Sequence, residues 1–188
     1  IGSLRWRPPA AVPRWPGVRK ANAFGPSCPQ TPSQHWVTTV TNDRVPNTPW
    51  LRGLRFDEDC LYLNVWTPER VPKSGAPVMV WIHGGGNTSG NGNLMPFGPT
   101  LPHRGVVLVS MNYRLGPLGF LAHPALSRES PHHASGNYAL LDQIEALRWV
   151  RRNIRSLGGH PQHVPVLGPS PRGVDPCLLG CSRLTRGP

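Results

Sequence analysis

Val78-Met79-Val80-Trp81-Ile82 is an unbroken apolar run, and Val106 to Val109 is a second. A strand with one face in water alternates apolar and polar positions, so runs of this kind predict strands covered on both faces. Leu61-Tyr62-Leu63-Asn64-Val65-Trp66 alternates instead and predicts a half-buried strand stopped at Thr67-Pro68. From Asn137 to about Leu157, the residues Leu140, Leu141, Ile144, Leu147, Val150 and Ile154 recur at spacings of three and four, which puts them on one helical face. Gly158-Gly159 predicts the end of that helix. Val164 to Leu167, interrupted by Pro165, predicts a last strand that arrives at Gly168-Pro169-Ser170. Before Asp59 the chain is punctuated by prolines and reads as loops with short strands. Strand, glycine loop, strand, helix, strand is an α/β order, and buried strands joined by crossovers imply a mostly parallel sheet.

Composition narrows the functional classes. The 188 residues are one domain's length, and 24 Pro and 21 Gly mean many breaks. The chain opens without a basic-then-apolar leader, and no apolar run is long enough for a membrane-spanning helix. The 20 Lys+Arg exceed the 9 Asp+Glu by 11, which raises the question of nucleic acid. Lys20 and Lys73 are the only lysines, and the arginines spread from Arg5 to Arg186 without an aromatic-interleaved patch, so no nucleic-acid partner is expected. Cys28, Cys60, Cys177 and Cys181 form no opposed CxxC pairs, and His132-His133 sit in a polar loop, so neither a metal nor a cofactor is expected. Trp66, Trp81 and Trp149 read as core residues.

Chemistry is suggested by His83-Gly84-Gly85-Gly86, directly after a buried strand. Without Cβ atoms such a turn can aim backbone N–H groups at a ligand, and in acyl transfer these donors stabilise a developing oxyanion. Taken alone, the segment suits a ligand-free glycine turn equally well.

The wider context resembles the type-B carboxylesterase and cholinesterase family. The resemblance rests on Leu4-Arg5-Trp6-Arg7-Pro8-Pro9, Phe24-Gly25-Pro26-Ser27-Cys28-Pro29-Gln30, Glu58 to Pro68, the glycine turn, Asn112 to Phe120, Gly136-Asn137-Tyr138 and Leu141-Asp142-Gln143, all in order. It implies an α/β-hydrolase fold, here incomplete and limited to the N-terminal part of the sheet. It also implies cleavage of small-molecule carboxylic esters by a serine nucleophile, with Gly85 and Gly86 as oxyanion donors and Ser170 at the nucleophile position. A disulfide falls on Cys28 and Cys60 and a buried ion pair on Arg5 and Glu58. Such a disulfide needs an oxidising compartment, which favours a secreted or periplasmic protein. His83 is expected to order the glycine turn, and Asp142 to be structural. Oligomeric state is left open.

The pattern is broken where chemistry would occur. The family's Gly-Glu-Ser-Ala-Gly elbow reads Gly168-Pro169-Ser170-Pro171-Arg172-Gly173 here. Pro171 stands where a third oxyanion N–H would be, and proline has none. In this fold an Asp or Glu and then a His follow the serine. After Ser170 only Asp175 is acidic, and all eight histidines, His35 through His163, precede it. A serine without a base is a poor nucleophile. Residues 1–168 are therefore expected to form the N-terminal part of the esterase domain and 169–188 an aberrant tail, frame-shifted or disordered. The genetic code supports a shift: read from the third base of the Pro169 codon, codons for Pro169 to Cys177 permit Glu-Ser-Ala-Gly-Gly-Gly-Ser-Val, the family's elbow and the start of its helix. Two other readings remain at this stage, a non-catalytic adhesion or binding relative and a translated pseudogene fragment without function.

Overall fold

A computed structural model of the chain describes residues 2–10, 12–30, 55–93, 98, 100–168 and 179–180. The two apolar runs become adjacent parallel strands, β2 (Val78–Ile82) and β3 (Val107–Met111), with Val78 opposite Val107 and Ile82 opposite Met111. Because successive Cβ atoms point to opposite faces, each run serves two cores. Val78, Val80, Ile82, Val107, Val109 and Met111 join the larger cluster, while Trp81 and Leu108 meet Trp66, Met79 and Leu101 on the other face. Leu101 comes from α1 (Thr100–His103). Both faces are covered, so neither run alternates.

β1 (Leu63–Trp66) runs antiparallel to β3, and β4 (Val166–Leu167) runs parallel to β2, giving the order β1-β3-β2-β4. The sheet is thus mostly parallel with one antiparallel edge. Three strands start later than the sequence predicts, each for a local reason. Leu61 and Tyr62 are exposed, and the Tyr62 N–H turns back to the Cys60 carbonyl at 2.7 Å, so β1 starts at Leu63. Val106 donates to the Leu101 carbonyl at 3.2 Å instead of joining the ladder. Pro165 has no N–H and offers β2 only its carbonyl, which accepts from Val80 at 2.9 Å.

The amphipathic segment forms α4 (Tyr138–Asn153), continued by a 3-10 turn over Ile154–Leu157. Ala139, Ile144, Val150 and Ile154 are buried in the larger core, with Leu141 and Leu147 half-buried beside them. Gly158 ends the helix in a left-handed conformation, φ +85°, with its N–H returned to the Arg155 carbonyl. Two short helices, α2 (Gly116–Phe120) and α3 (Pro124–Glu129), show no period in the sequence because neither reaches two turns. Trp81 is buried, whereas Trp66 and Trp149 are only half-buried at the core margins.

The N-terminal segment is stitched on from outside. Cys28 and Cys60 form a disulfide with their Cα atoms 4.9 Å apart, and Ser27 pairs with the backbone of Arg55 and Asp57 beside it. Arg5 and Glu58 form the ion pair implied by the resemblance, but it is not buried: 42% of the Arg5 side chain and 27% of that of Glu58 are exposed. The reason is that Arg5 follows a single 3-10 turn, Gly2–Leu4, whose residues all lie on the surface.

Candidate active site

β2 ends inside the core, and His83 carries the chain out of it. His83 is 4% exposed; its ring has Nδ1 2.8 Å from the Gly84 carbonyl and stacks on Tyr113 at 4.3 Å between centroids. The Tyr113 hydroxyl donates to the His83 carbonyl at 2.8 Å. His83 is thereby an internal support of the turn, as the sequence suggests.

Gly85 adopts φ +116°, and a Cβ there would lie 2.0 Å from the Ser89 carbonyl oxygen. Only glycine fits this position. The Gly85 carbonyl accepts from the Thr88 and Ser89 N–H groups, both at 3.2 Å, and this closes the turn. Gly86 follows at φ +62° with open space where a Cβ would be. Among the described residues, neither the Gly85 nor the Gly86 N–H donates to a protein acceptor. Two neighbouring amides are thus without an acceptor among the described residues.

A polar layer lies beneath. Ser110 Oγ donates to the Gly92 carbonyl at 2.6 Å, the Gly92 N–H donates to Asn112 Oδ1 at 2.7 Å, and Asn64 Nδ2 donates to Asn93 Oδ1 at 3.2 Å. Asn112 Nδ2 also donates to the carbonyls of Pro26 and Cys60, so this layer meets the disulfide. Sequence patterning does not single out Asn64, Asn93 or Asn112; for Asn93 the clustering of Asn and Gly over 87–93 is the available signal.

Behind the site, Arg114 grips Asp142 of α4. Its Nη2 donates to Oδ1 at 2.7 Å, and its Nε and backbone N–H donate to Oδ2 at 2.8 and 3.1 Å. The Asp142 side chain is 1% exposed, and this burial raises its pKa above the usual carboxylate value against the opposing pull of Arg114. Both carboxylate oxygens are occupied by Arg114, which suits the structural role expected of Asp142.

Ser170 lies outside the described residues, as do Pro169, Pro171, Arg172, Asp175, Cys177, Cys181 and His35. Among the described residues no group of His, Cys, Asp and Glu could hold a metal ion. No described helix is long and apolar enough to cross a membrane.

A mostly parallel sheet backed by a helix, with a glycine turn leaving its second strand, is the N-terminal part of an α/β-hydrolase. Solved structures carry the same fold: a PNB esterase aligns with a TM-score of 0.80 at 38% identity, covering 97% of this chain and 35% of that one. A thermophilic PNB esterase gives a TM-score of 0.78 over the same shares. The carboxylesterase family model matches residues 1–187, and the chain belongs to that family. It is 47% identical over 171 residues to fumonisin B1 esterase of Sphingopyxis macrogoltabida, covering 90% of this chain and 29% of that protein. Liver carboxylesterase 1 of Oryctolagus cuniculus is 39% identical over 188 residues, covering 99% and 32%. Cholinesterase of Mus musculus is 41% identical over 172 residues, covering 90% and 27%. The chain thus spans less than a third of the length of these curated relatives.

Proposed function

We propose that the chain carries the oxyanion-binding part of a carboxylic ester hydrolase, with Gly85 and Gly86 as donors and Ser170 at the nucleophile position. The observation that carries this reading is the Gly85 turn, a conformation closed to every residue with a side chain, which leaves two adjacent N–H groups unspent. In the reaction the serine oxygen attacks the ester carbonyl carbon and the carbonyl oxygen becomes an anion held by these N–H groups. Collapse of that intermediate expels the alcohol and leaves an acyl-serine, which water then hydrolyses. Each oxyanion donor contributes about 3 kcal/mol to the transition state. The names of the relatives, fumonisin B1 esterase and phenmedipham hydrolase among them, favour a small-molecule ester as substrate. The Cys28–Cys60 disulfide favours an oxidising compartment, secreted or periplasmic.

These 188 residues on their own are inactive in this reading, because no histidine follows Ser170 and Pro171 removes a donor. Steady turnover of an aryl ester by the pure chain, abolished by Ser170→Ala, would refute that. The spoiled elbow is explained by a frame shift at Gly168-Pro169, with residues 1–168 as true esterase sequence and 169–188 as its shifted remainder. Sequencing the locus and assaying the restored frame tests both points. Third bases that spell Glu-Ser-Ala-Gly, and turnover that depends on the restored serine, are the expected results. An immediate stop in the shifted frame, or a restored protein that hydrolyses no ester, would make this a divergent non-enzyme instead.

A further inference from the structure

We infer that Gln30 is a positioning residue that clamps the glycine turn in its ligand-ready shape, an assignment that rests on reading Gly85 and Gly86 as oxyanion donors. Gln30 Oε1 accepts from the Gly90 N–H at 2.7 Å, and Gln30 Nε2 donates to the Gly90 carbonyl at 2.8 Å. One side-chain amide therefore engages both polar groups of one residue, as a neighbouring strand would. Two such bonds fix the position and tilt of Gly90, which a single bond does not.

Gly90 is the place where a clamp reaches the donors. It sits at φ +114°, and a Cβ there would lie 2.3 Å from His83 Nδ1 and 2.5 Å from the Gly84 carbonyl oxygen. Its Cα thus lies close against the His83 ring and the Gly84 carbonyl, where the turn begins. His83 is also backed by the Tyr113 ring and hydroxyl. A turn rich in glycine has unusual conformational freedom, while oxyanion donors work only when held in place before the reaction. The Gln30 clamp and the Tyr113 stacking together supply that restraint.

Gln30 is itself anchored. Its Nε2 also donates to the Cys28 carbonyl at 3.1 Å, and Cys28 is bonded covalently to Cys60. The order of support runs from disulfide to Gln30, to Gly90, to His83 and Gly84, and so to Gly85 and Gly86. A segment 60 residues earlier in sequence sets the shape of the turn.

Amide hydrogen exchange on the whole chain reads this without catalysis, by comparing residues 84–92 with β2 and β3 in the parent and in Gln30→Met. Methionine keeps the side-chain volume and removes both bonds, so exchange at Ser89 and Gly90 should accelerate about tenfold or more, while Val80 and Val109 keep their parental rates. Gln30→Glu keeps the acceptor for the Gly90 N–H but sets a carboxylate oxygen against the Gly90 and Cys28 carbonyls, so it too should accelerate exchange at Gly90. Unchanged exchange at Gly90 in Gln30→Met overturns the assignment, as does equal acceleration in the turn and in the strands, the mark of general packing. If Gln30→Met does not fold, Gln30→Asn, whose amide is one methylene too short, takes its place with the same expectations; failure of both to fold also overturns a local clamp. A turn that loosens as expected in a restored frame without esterase activity would refute the oxyanion reading and leave the clamp standing.

Discussion

Arg114→Met tests how α4 is held to the end of β3. The substitution removes the Nε and Nη2 bonds to Asp142 and leaves the Arg114 backbone N–H still donating to Oδ2. What remains is a carboxylate with a side chain 1% exposed and no balancing charge from Arg114. Removing one member of a buried pair costs 3–5 kcal/mol, and the surviving backbone bond places this case near about 3 kcal/mol. The pH dependence follows from the direction of the shift. Burial already holds the folded pKa of Asp142 above its ordinary value, and Arg114 is the influence opposing it. Without Arg114 the folded pKa rises further, so the folded state binds the proton more tightly than the unfolded chain does. Stability contributed by such a group is present at low pH and lost as pH rises through the folded pKa. The deficit of the variant relative to the parent should therefore be largest at neutral pH and shrink on acidification. Urea unfolding followed by tryptophan fluorescence, at pH 7 and again near pH 5, measures both terms. The double variant Arg114→Met/Asp142→Leu should recover most of the loss, since it leaves no charge behind. A neutral-pH deficit below about 1 kcal/mol, or one that does not change with pH, would refute the reasoning.

Two further expectations concern the site and its support. Replacing Cys28 and Cys60 together by serine opens a loop with a sequence separation of 32 and should lower unfolding stability by about 3.5 kcal/mol in the same urea assay. Gly85→Ala places a methyl 2.0 Å from the Ser89 carbonyl oxygen in a left-handed conformation. It should cost about 1–3 kcal/mol and speed exchange at Thr88 and Ser89, whereas Gly86→Ala, which enters open space, should change either quantity less.

Which features were readable from sequence follows from how many residues each depends on. β2 and α4 were legible because burial is written into every residue of the run or every third and fourth position. The end of α4 was legible because Gly158 alone can take the left-handed turn cheaply. The direction of β1 was not, since antiparallel pairing with β3 depends on partners more than 40 residues later, Leu63 with Met111 through Trp66 with Leu108, and leaves no mark in Leu63–Trp66 itself. The glycine turn announced itself as a motif, yet its supports did not. Gln30, Asn112 and Arg114 are single polar residues whose partners lie 60, 52 and 28 positions away, and one-dimensional patterning carries no signal at such separations. All three nevertheless stand inside the quoted family motifs. The surface position of the Arg5–Glu58 pair was invisible for a different reason, because charge complementarity in sequence does not encode depth.

The Cys28–Cys60 bond has one more consequence. It makes the intervening stretch, which includes Arg44, Arg52 and Arg55, part of a covalent ring. A protease that cuts once inside a ring releases nothing; the product differs from the parent only by one added water. On a gel run without reductant a nicked molecule would pass as intact, and only reduction would separate the two pieces. A longer ring would add little to the entropy of closure, because lengthening a closed loop twofold costs only about 0.6 kcal/mol. Whatever happens to the backbone inside the ring, the bond keeps Cys28 and Cys60 joined, and with them the Gln30 support of the glycine turn.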